Sequence, residues 1–233
     1  MQALHCQTCP TRRLCLGADL DQPALASLSQ CVQPSAPVQR GEFLYRAGDP
    51  ADDCFVVRSG AYKTVVTSND GQEHVGGFHF PGEIMGLSGQ ATGRYRDSAV
   101  ALETSTACRT SLAELPQLWR VGSGPALLRL LGSNDWTGAE GHANLSRTAA
   151  DARLAGYLVG LSRRLSGRAP DHLPMPMSRT DLANHLGMTL ESLSRVIGRL
   201  TRDGTITPAR TAITVNDPER LQRLAGHLDQ ESA

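Results

Sequence analysis

The chain has 233 residues, 40% of them apolar and 20% charged, so it can bury a core and is not disordered throughout. Its formal charge is 23 − 23 = 0, which argues against a generally polybasic protein but leaves room for a local basic face. Residues 162–210 hold eight arginines against four acids, a local balance of +4. There is no run of about 18 apolar residues and no signal-peptide stretch, so we expect a cytoplasmic protein without membrane contact.

The residue pattern changes several times along the chain. Residues 1–16 are polar and rich in cysteine, and residues 17–30 have apolar side chains at the spacing of a short helix. Short alternating runs separated by turn signals cover residues 33–110 and predict an all-β sandwich or roll, with a hairpin turn at residues 69–71. The rest predicts helix at the start of 112–148, a helix at 149–165, a proline-rich loop at 166–177, two helices within 178–203 and two strands within 205–215.

The two helices after residue 178 carry a helix-turn-helix pattern. Ser178 and Asp181 predict a capping box for the first helix, Gly187 permits a tight turn, and Thr189 can cap the second helix. In this motif the start of the second helix enters the major groove, where Arg pairs with guanine and Glu accepts from cytosine. The outward positions there are Glu191, Ser192, Ser194, Arg195 and Arg199. A helical hairpin with a solvated charged face is the alternative, but the arginine excess and the following strands favour DNA binding.

The six cysteines are concentrated near the N-terminus, where Cys6, Cys9 and Cys15 follow a C-x-x-C-x5-C spacing. In a reducing compartment, clustered cysteines bind metal or act in redox chemistry more often than they form disulfides. A structural zinc or an all-cysteine iron–sulfur cluster needs four thiolates, so one ligand must come from elsewhere. The candidates are Cys31, Cys54, Cys108 and His5. Spacing alone leaves zinc, an iron–sulfur cluster and a disulfide open, although the strand pattern around Cys54 is typical of a core residue.

Four separated motifs together resemble one family. In chain order they are C-x-x-C-x5-C, the roll segments GEFLYRAGDPADDCFVVRSG and FHFPGEIMG, the segment ALETSTAC, and NHLGMTLESLSRVIGRL. From about residue 3 to residue 227 the sequence resembles the fumarate–nitrate reduction regulator (FNR) branch of the cyclic-AMP receptor protein (CRP/FNR) superfamily. The resemblance implies an α+β fold with an N-terminal β-roll like a cyclic-nucleotide-binding domain, a long dimerisation helix and a C-terminal winged helix-turn-helix.

The resemblance also implies domain boundaries and a cofactor. Residues 1–30 would be the cluster-binding segment, 31–113 the sensory roll, 114–147 the dimerisation helix and 148–233 the DNA-binding domain. In this branch the three N-terminal cysteines and the cysteine of an ALETS-x-x-C segment hold one [4Fe-4S] cluster. Those positions are Cys6, Cys9, Cys15 and Cys108 here, which would make Cys31 and Cys54 non-ligands.

The function implied is that of an oxygen-responsive transcription regulator, not an enzyme. The intact cluster would favour a homodimer, and the dimer would bind double-stranded DNA at inverted repeats of TTGAT-like half-sites through Glu191, Ser194 and Arg195. On the dimerisation helix that the resemblance implies, the stripes of apolar and small residues place the dimer contacts on Leu127, Leu128, Leu131, Asp135 and Trp136, where Asp135 would face and repel its own copy. Contacts with RNA polymerase are expected from Asp70, Gly71 and Thr104.

Other classes of function compete with this one. A zinc-stabilised DNA-binding regulator would be colourless and insensitive to air. A cyclic-nucleotide-responsive regulator would need the Arg-Ser pair that binds the phosphate in such relatives, but Asp97 separates Arg96 from Ser98 here, and a carboxylate beside a phosphate is unfavourable. An iron–sulfur enzyme would need a set of acid–base residues around a substrate, and the sequence offers no such set.

Overall fold

The computed structural model describes residues 6–68, 70–89, 92–132, 149–165 and 172–226. These residues form two compact units. The described residues up to 132 belong to the first unit and those from 149 onward belong to the second, and each unit is described by itself. The first unit contains the N-terminal cysteines, the roll and three helices. No helix within the described ranges is long and apolar enough to cross a membrane.

The first unit begins with the cysteine segment, residues 6–16, which forms two 3-10 turns at Cys6–Thr8 and Arg12–Leu14. Helix α1 (Gln22–Cys31) follows, and its N-terminus is capped because the Asp21 side chain accepts a hydrogen bond from the Ala24 amide at 2.9 Å. The helix starts later than the pattern of residues 17–30 predicts, since Asp19 adopts a left-handed backbone with φ of +66° that a helix cannot contain.

Two antiparallel four-stranded sheets, ordered β1-β8-β3-β6 and β2-β7-β4-β5, make the roll and confirm the predicted all-β region. The predicted hairpin turn joins β4 to β5, and Gly71 there has φ of +82°. The strands are β1 (Gln33–Pro34), β2 (Phe43–Tyr45), β3 (Asp53–Ser59), β4 (Tyr62–Thr67), β5 (Glu73–His79), β6 (Ile84–Met85), β7 (Ser98–Ala101) and β8 (Thr106–Ser111).

Strand β3 separates two hydrophobic clusters, because successive side chains of a strand point to opposite faces. Phe55 and Val57 pack between the two sheets. Cys54 and Val56 belong to a second cluster, the outer cluster, which also contains residues of the cysteine segment, α1 and the helices after the roll. Cys54 is therefore a core residue, as its strand pattern predicts.

The helical region after the roll starts with two separate helices. Helix α2 (Leu115–Arg120) is followed by a turn in which Gly122 has φ of +89°, and helix α3 begins at residue 124 and is described to residue 132. The segment 114–147 expected to form one dimerisation helix is thus interrupted near its start. The glycine at position 122 and Pro125 beyond it suit a turn followed by a new helix. Residues 133–148 lie outside the described residues, and Asp135 and Trp136 are among them.

The second unit confirms a winged helix-turn-helix. One strand of its antiparallel sheet, ordered β10-β11-β9, lies in the predicted proline-rich loop of residues 166–177. The prediction of a loop is therefore wrong for these residues. Leu173 is fully buried and pairs with Ile213, and Pro174 lies at the end of an edge strand, where proline is tolerated. The elements are α4 (Ala150–Arg164), β9 (His172–Pro174), α5 (Arg179–His185), α6 (Leu190–Arg202), β10 (Ile206–Pro208), β11 (Ala212–Val215) and α7 (Pro218–Leu224).

Candidate functional site

The cysteine segment is positioned by its neighbours rather than by regular structure of its own. The Cys6 amide donates to Ser29 Oγ of α1 at 3.0 Å, and Leu16 is buried in the outer cluster. On the other side, Gly82 adopts φ of +92°, and a Cβ at that position would lie 2.6 Å from the Cβ of Leu14. The segment therefore packs against a turn that requires glycine both for its backbone and for the space above it.

All four predicted ligand cysteines line one cavity, which we call the cysteine cavity. Its volume is about 20 Å³, roughly the space of one water molecule. Neither Cys31 nor Cys54 is among the residues that line it. The lining residues are Cys6, Cys9, Thr11, Arg12, Cys15, Leu16, Leu28, Val32, Val56, Val57, Arg58 and Cys108.

The fourth cysteine differs from the other three in its setting. Cys108 lies on β8, in register with Pro34 of β1 on one side and Val56 of β3 on the other. In the cysteine segment, Cys9 Sγ shares a hydrogen bond with Thr11 Oγ1 at 3.1 Å, and Cys15 Sγ donates to the Arg12 carbonyl at 3.5 Å. One thiol is thus fixed by a paired strand, and three lie on short turns.

Burial disfavours the thiolate form of Cys6, Cys15 and Cys108. Removal from water raises the pKa of Cys15 to about 11 and that of Cys108 to about 12, and it also raises the pKa of Cys6. In the described part of the chain, no three His, Cys, Asp or Glu side chains converge closely enough to hold a single metal ion. Metal binding by Cys6, Cys15 and Cys108 would therefore have to release their thiol protons.

The outer cluster connects the cysteine segment to helix α3. Leu127 of α3 is buried in it together with Cys6 and Leu16. The loop after Cys15 also reaches α3, because the Asp19 carboxylate pairs with the Arg129 guanidinium at 2.7 Å. The position of the cysteine segment and the position of α3 therefore depend on shared contacts.

The predicted dimer residues of α3 are divided between the core and the surface. Leu127, 8% exposed, belongs to the core of its own protomer, so its expected place in a dimer contact is revised. Leu128 and Leu131 are 57% and 36% exposed and point outward, as an interface requires.

The helix-turn-helix is built as the sequence predicts. Ser178 Oγ accepts from the Asp181 amide at 3.0 Å, and Thr189 Oγ1 accepts from the Ser192 amide at 3.1 Å. The Asp181 carboxylate also accepts a hydrogen bond from the Ser178 hydroxyl at 2.8 Å. The inner face of α6 buries Leu193, Val196, Ile197 and Leu200.

The outward face of α6 places an acid and a base side by side. Glu191 and Arg195 form an exposed ion pair one turn apart, at 2.7 Å, and Ser194 is exposed between them, while Ser192 is half-buried at the cap. Arg199 differs from the expectation of a free DNA contact, because its guanidinium pairs with Asp151 of α4.

One residue that supports the helix-turn-helix carries no sequence signal. Arg153 of α4 donates through Nη1 to the carbonyl oxygens of Leu186 and Gly187, at 3.3 and 2.7 Å. These carbonyls lie at the end of α5, where a helix leaves acceptors unpaired. Arg153 thus holds the turn between the two helices, a contact that only the packing of α4 could reveal.

Comparisons with known proteins agree with this architecture. A Crp-like helix-turn-helix domain matches residues 152–224, and a cyclic nucleotide-binding domain matches residues 36–120. Over 231 residues the chain is 37% identical to the transcriptional activator protein Anr of Pseudomonas aeruginosa, covering 95% of this chain and 93% of that protein. Over 231 residues it is 32% identical to the fumarate and nitrate reduction regulatory protein of Escherichia coli strain K12, covering 97% and 92%. The chain belongs to the FNR branch of the CRP/FNR family.

Solved structures support the same fold. FixK2 from Bradyrhizobium japonicum superposes with a TM-score of 0.71 at 25% identity, covering 87% of this chain and 99% of that one. A transcriptional regulator of the CRP family from Thermus thermophilus gives a TM-score of 0.63 at 24% identity, covering 83% and 97%. The predicted α+β fold is confirmed, and this member of the CRP/FNR family is a DNA-binding transcription regulator and not an enzyme.

In this CRP/FNR protein a carboxylate occupies the segment that the cyclic-nucleotide prediction singled out. Asp97 accepts hydrogen bonds from the Tyr45 hydroxyl at 3.4 Å and from the Ser88 hydroxyl at 2.5 Å. The Tyr45 ring stacks on Tyr95 with centroids 4.2 Å apart. The match to the cyclic nucleotide-binding domain therefore identifies the roll. Beside the position where such relatives bind the nucleotide phosphate, the Asp97 carboxylate accepts hydrogen bonds from two hydroxyl groups of the chain itself.

The residues expected to contact RNA polymerase lie on two separate exposed turns of the roll. Asp70 and Gly71 are at the tip of the β4–β5 hairpin. Thr104 lies between β7 and β8, where its hydroxyl donates to Gln39 Oε1 at 3.0 Å.

Proposed function

We propose that this regulator senses oxygen through a [4Fe-4S] cluster bound by Cys6, Cys9, Cys15 and Cys108. The observation that carries the proposal is that these four thiols line one cavity, which neither of the other two cysteines reaches. Four thiolates form the complete ligand set of an all-cysteine cluster. When bound, the cluster supplies a group that oxygen can convert or remove. The contacts of the cysteine segment with the rest of the chain would change as a result.

The donor set fits the cluster, while the cavity must enlarge. Four irons and four sulfides need far more room than one water molecule, and the paired strand that carries Cys108 cannot retreat without breaking its ladder. The turns that carry Cys6, Cys9 and Cys15 are therefore the side that shifts. Binding then costs the release of thiol protons and the rearrangement of the cysteine segment.

Movement of the cysteine segment would reach α3 through the outer cluster. Leu127 packs in that cluster with Cys6 and Leu16, and the Asp19–Arg129 pair joins the next loop to the same helix. We infer that the cluster stabilises the placement of α3 in which Leu128 and its outward neighbours face a second copy of the chain. The cluster shifts the equilibrium only by as much as it prefers the dimer-competent state.

The dimer would present two α6 helices to an inverted repeat of TTGAT-like half-sites. Arg195 suits the N7 and O6 of guanine, and Glu191, held beside it, suits the amine of the paired cytosine. Ser194, which is exposed on α6 between these two residues, is the third proposed DNA contact. With Arg199 paired to Asp151, its contribution would be to position α6 rather than to read a base. The exposed turns at Asp70–Gly71 and Thr104 are proposed for RNA polymerase contact.

The experiment that tests the sensor is purification without oxygen, with iron and sulfide counted before and after air is admitted. We expect a brown protein with about four irons per chain, whose visible absorbance falls in air. DNA binding to an inverted TTGAT repeat should weaken in parallel. A colourless zinc protein whose DNA affinity is the same with and without air would contradict the proposal and leave the helix-turn-helix assignment intact.

The reading of DNA has its own test. Arg195→Ala should weaken binding to the TTGAT repeat by about 1–3 kcal/mol per half-site and reduce discrimination at its G·C pair. Arg120→Ala in α2, on the other structural unit, is the matched control and should bind DNA as the wild type does. Equal loss of affinity for every DNA sequence would show that Arg195 contacts only phosphate.

A further inference from the structure

An arginine that no motif includes lies in the wall of the cysteine cavity. Arg58 is near the end of β3, where the pairing with β8 shifts register between Val57 and Ser59. By the alternation of side chains along β3, position 58 follows Cys54 and Val56 on the face of the outer cluster. Arg58 lines the cysteine cavity together with the four cysteines, and it is half-buried.

Arg58 and the four cysteines line the same cavity, so its positive charge lies close to the four thiols. Among the described residues no carboxylate forms an ion pair with Arg58. Arg109, the residue after Cys108, contrasts with it, because it pairs with Asp53 at 3.6 Å and donates to Gln33 at 2.8 Å.

A half-buried cation beside four thiols has a clear electrostatic consequence once they are thiolates. Their negative charges outweigh the positive charge of an iron–sulfur core, so the filled site carries net negative charge in a poorly solvated place. Arg12 also lines the cavity, but its guanidinium donates to the Gln7 carbonyl at 2.8 Å and belongs to the segment that must shift. Arg58 belongs to the sheet and keeps its place.

We propose that Arg58 is the charge-compensating residue of the cluster site, a positioning residue on the sheet that determines how firmly the cluster is retained. The proposal rests on the proposed function, because it concerns the same four thiolates. A residue of the roll, outside the cysteine motif, would thus contribute to the retention of the cluster.

The test compares three variants after anaerobic reconstitution: Arg58→Gln, which removes the charge, Arg58→Lys, which keeps it, and Arg109→Gln, which removes a charge one residue from Cys108 but outside the cavity. Iron release to an excess of a chelator is followed without oxygen by the loss of visible absorbance. Arg58→Gln should release iron about ten-fold faster than the wild type, as is typical when an outer partner of metal ligands is lost. Arg58→Lys and Arg109→Gln should stay close to the wild-type rate.

The outcomes separate this inference from the function it rests on. If the wild type binds four irons and Arg58→Gln releases them at the same rate, the inference is overturned and the sensor proposal stands. Equal acceleration in Arg58→Gln and Arg109→Gln would also overturn it, since net charge alone would then explain the effect. If the wild type binds no iron, both fail. Thermal unfolding of the metal-free variants checks the fold, and Arg58→Met replaces Arg58→Gln if the amide is not tolerated at this half-buried position.

Discussion

The cysteine segment and the helix-turn-helix, the two parts proposed to act, are built in opposite ways. The helix-turn-helix maintains its own shape, with side-chain caps at Ser178 and Thr189 and a buried inner face on α6. The cysteine segment has two 3-10 turns and takes its position from α1, from Gly82 and from strand β8. A recognition helix has to be presented to DNA unchanged, whereas a segment shaped by its surroundings can be moved by what it binds.

Among the substitutions that test this comparison, the largest expected effect is the loss of iron binding. Cys108→Ser should abolish the four-iron content after anaerobic reconstitution, because a complete ligand set needs four thiolates. Cys54→Ser is the matched control on the neighbouring strand, paired with Thr110 and outside the cysteine cavity. It should bind iron like the wild type, although a hydroxyl in the core lowers its stability. Iron lost equally in both variants would contradict the assignment of Cys108.

The next effect is on the core of the helix-turn-helix. Leu193 has no exposed surface, so Leu193→Ala should lower the free energy of unfolding of the second unit by about 2–5 kcal/mol. DNA binding should fall with it. Iron content should be unaffected, because the cysteine segment lies in the other unit. Urea denaturation of the metal-free protein and iron analysis of the reconstituted protein together check this, and loss of iron would show that the two regions are not independent.

A methyl group at Gly82 tests the dependence of the cysteine segment on its support. Gly82→Ala should lower the free energy of unfolding by about 1–3 kcal/mol more than an alanine that replaces a glycine of positive φ with free space around it, because the new Cβ meets Leu14. Gly41→Ala is the control, since Gly41 has φ of +83° and nothing within 4 Å of the added atom. The thiols should react faster with a modifying reagent only in Gly82→Ala. Equal reactivity in the two variants would show that the segment does not depend on this contact.

Removal of a helix cap has a smaller effect. Thr189→Ala should lower the free energy of unfolding by about 1 kcal/mol, because the Ser192 amide loses its acceptor. Thr180→Ala, at an exposed position within α5, should change it by a few tenths at most. Thermal unfolding distinguishes the two, and an unchanged midpoint in Thr189→Ala would mean that the cap adds nothing to α6.

The smallest effect concerns the ion pair between the loop after Cys15 and helix α3. Asp19 and Arg129 are both well exposed, at 79% and 55%, so their coupling should be about 0–1 kcal/mol. A double-mutant cycle with Asp19→Asn and Arg129→Gln, read out as the dimer dissociation constant with and without iron, measures it. A coupling present only in the iron-bound protein would show that the pair transmits the change, and one of equal size in both forms would make it merely structural.

Much of this molecule follows from its sequence. The turn signals of residues 33–110 predict the roll, and the caps and apolar spacing of residues 178–202 predict the helix-turn-helix, because both depend on local periodicity. The sequence pattern does not predict the strand at His172–Pro174, because its prolines are typical of a loop and its stability comes from pairing with β11. The break before α3 is not among the predictions either, because the single dimerisation helix at 114–147 comes from the family resemblance and not from the local pattern.

The candidate sites divide in the same way. The outward positions of α6 were predicted from spacing, but the pairing of Arg199 with Asp151 comes from the packing of α4, which no local pattern encodes. Of the four cysteines that line the cavity, Cys6, Cys9 and Cys15 stand out by their spacing, and only the family resemblance selects Cys108 as the fourth. No local pattern indicates Arg58 or Gly82, since their roles arise where distant segments of the chain meet.

The different supports of the four cysteines imply that they would respond differently to the loss of a bound group. Cys108 is on a strand hydrogen-bonded to a neighbour on each side, and the other three are on turns at one end of the chain. Any group bound by all four would cross-link the N-terminus to the sheet. Its loss would free the turns that carry Cys6, Cys9 and Cys15, while Cys108 would stay in its paired strand. A protease that cleaves after Arg12 or Arg13 would report that release.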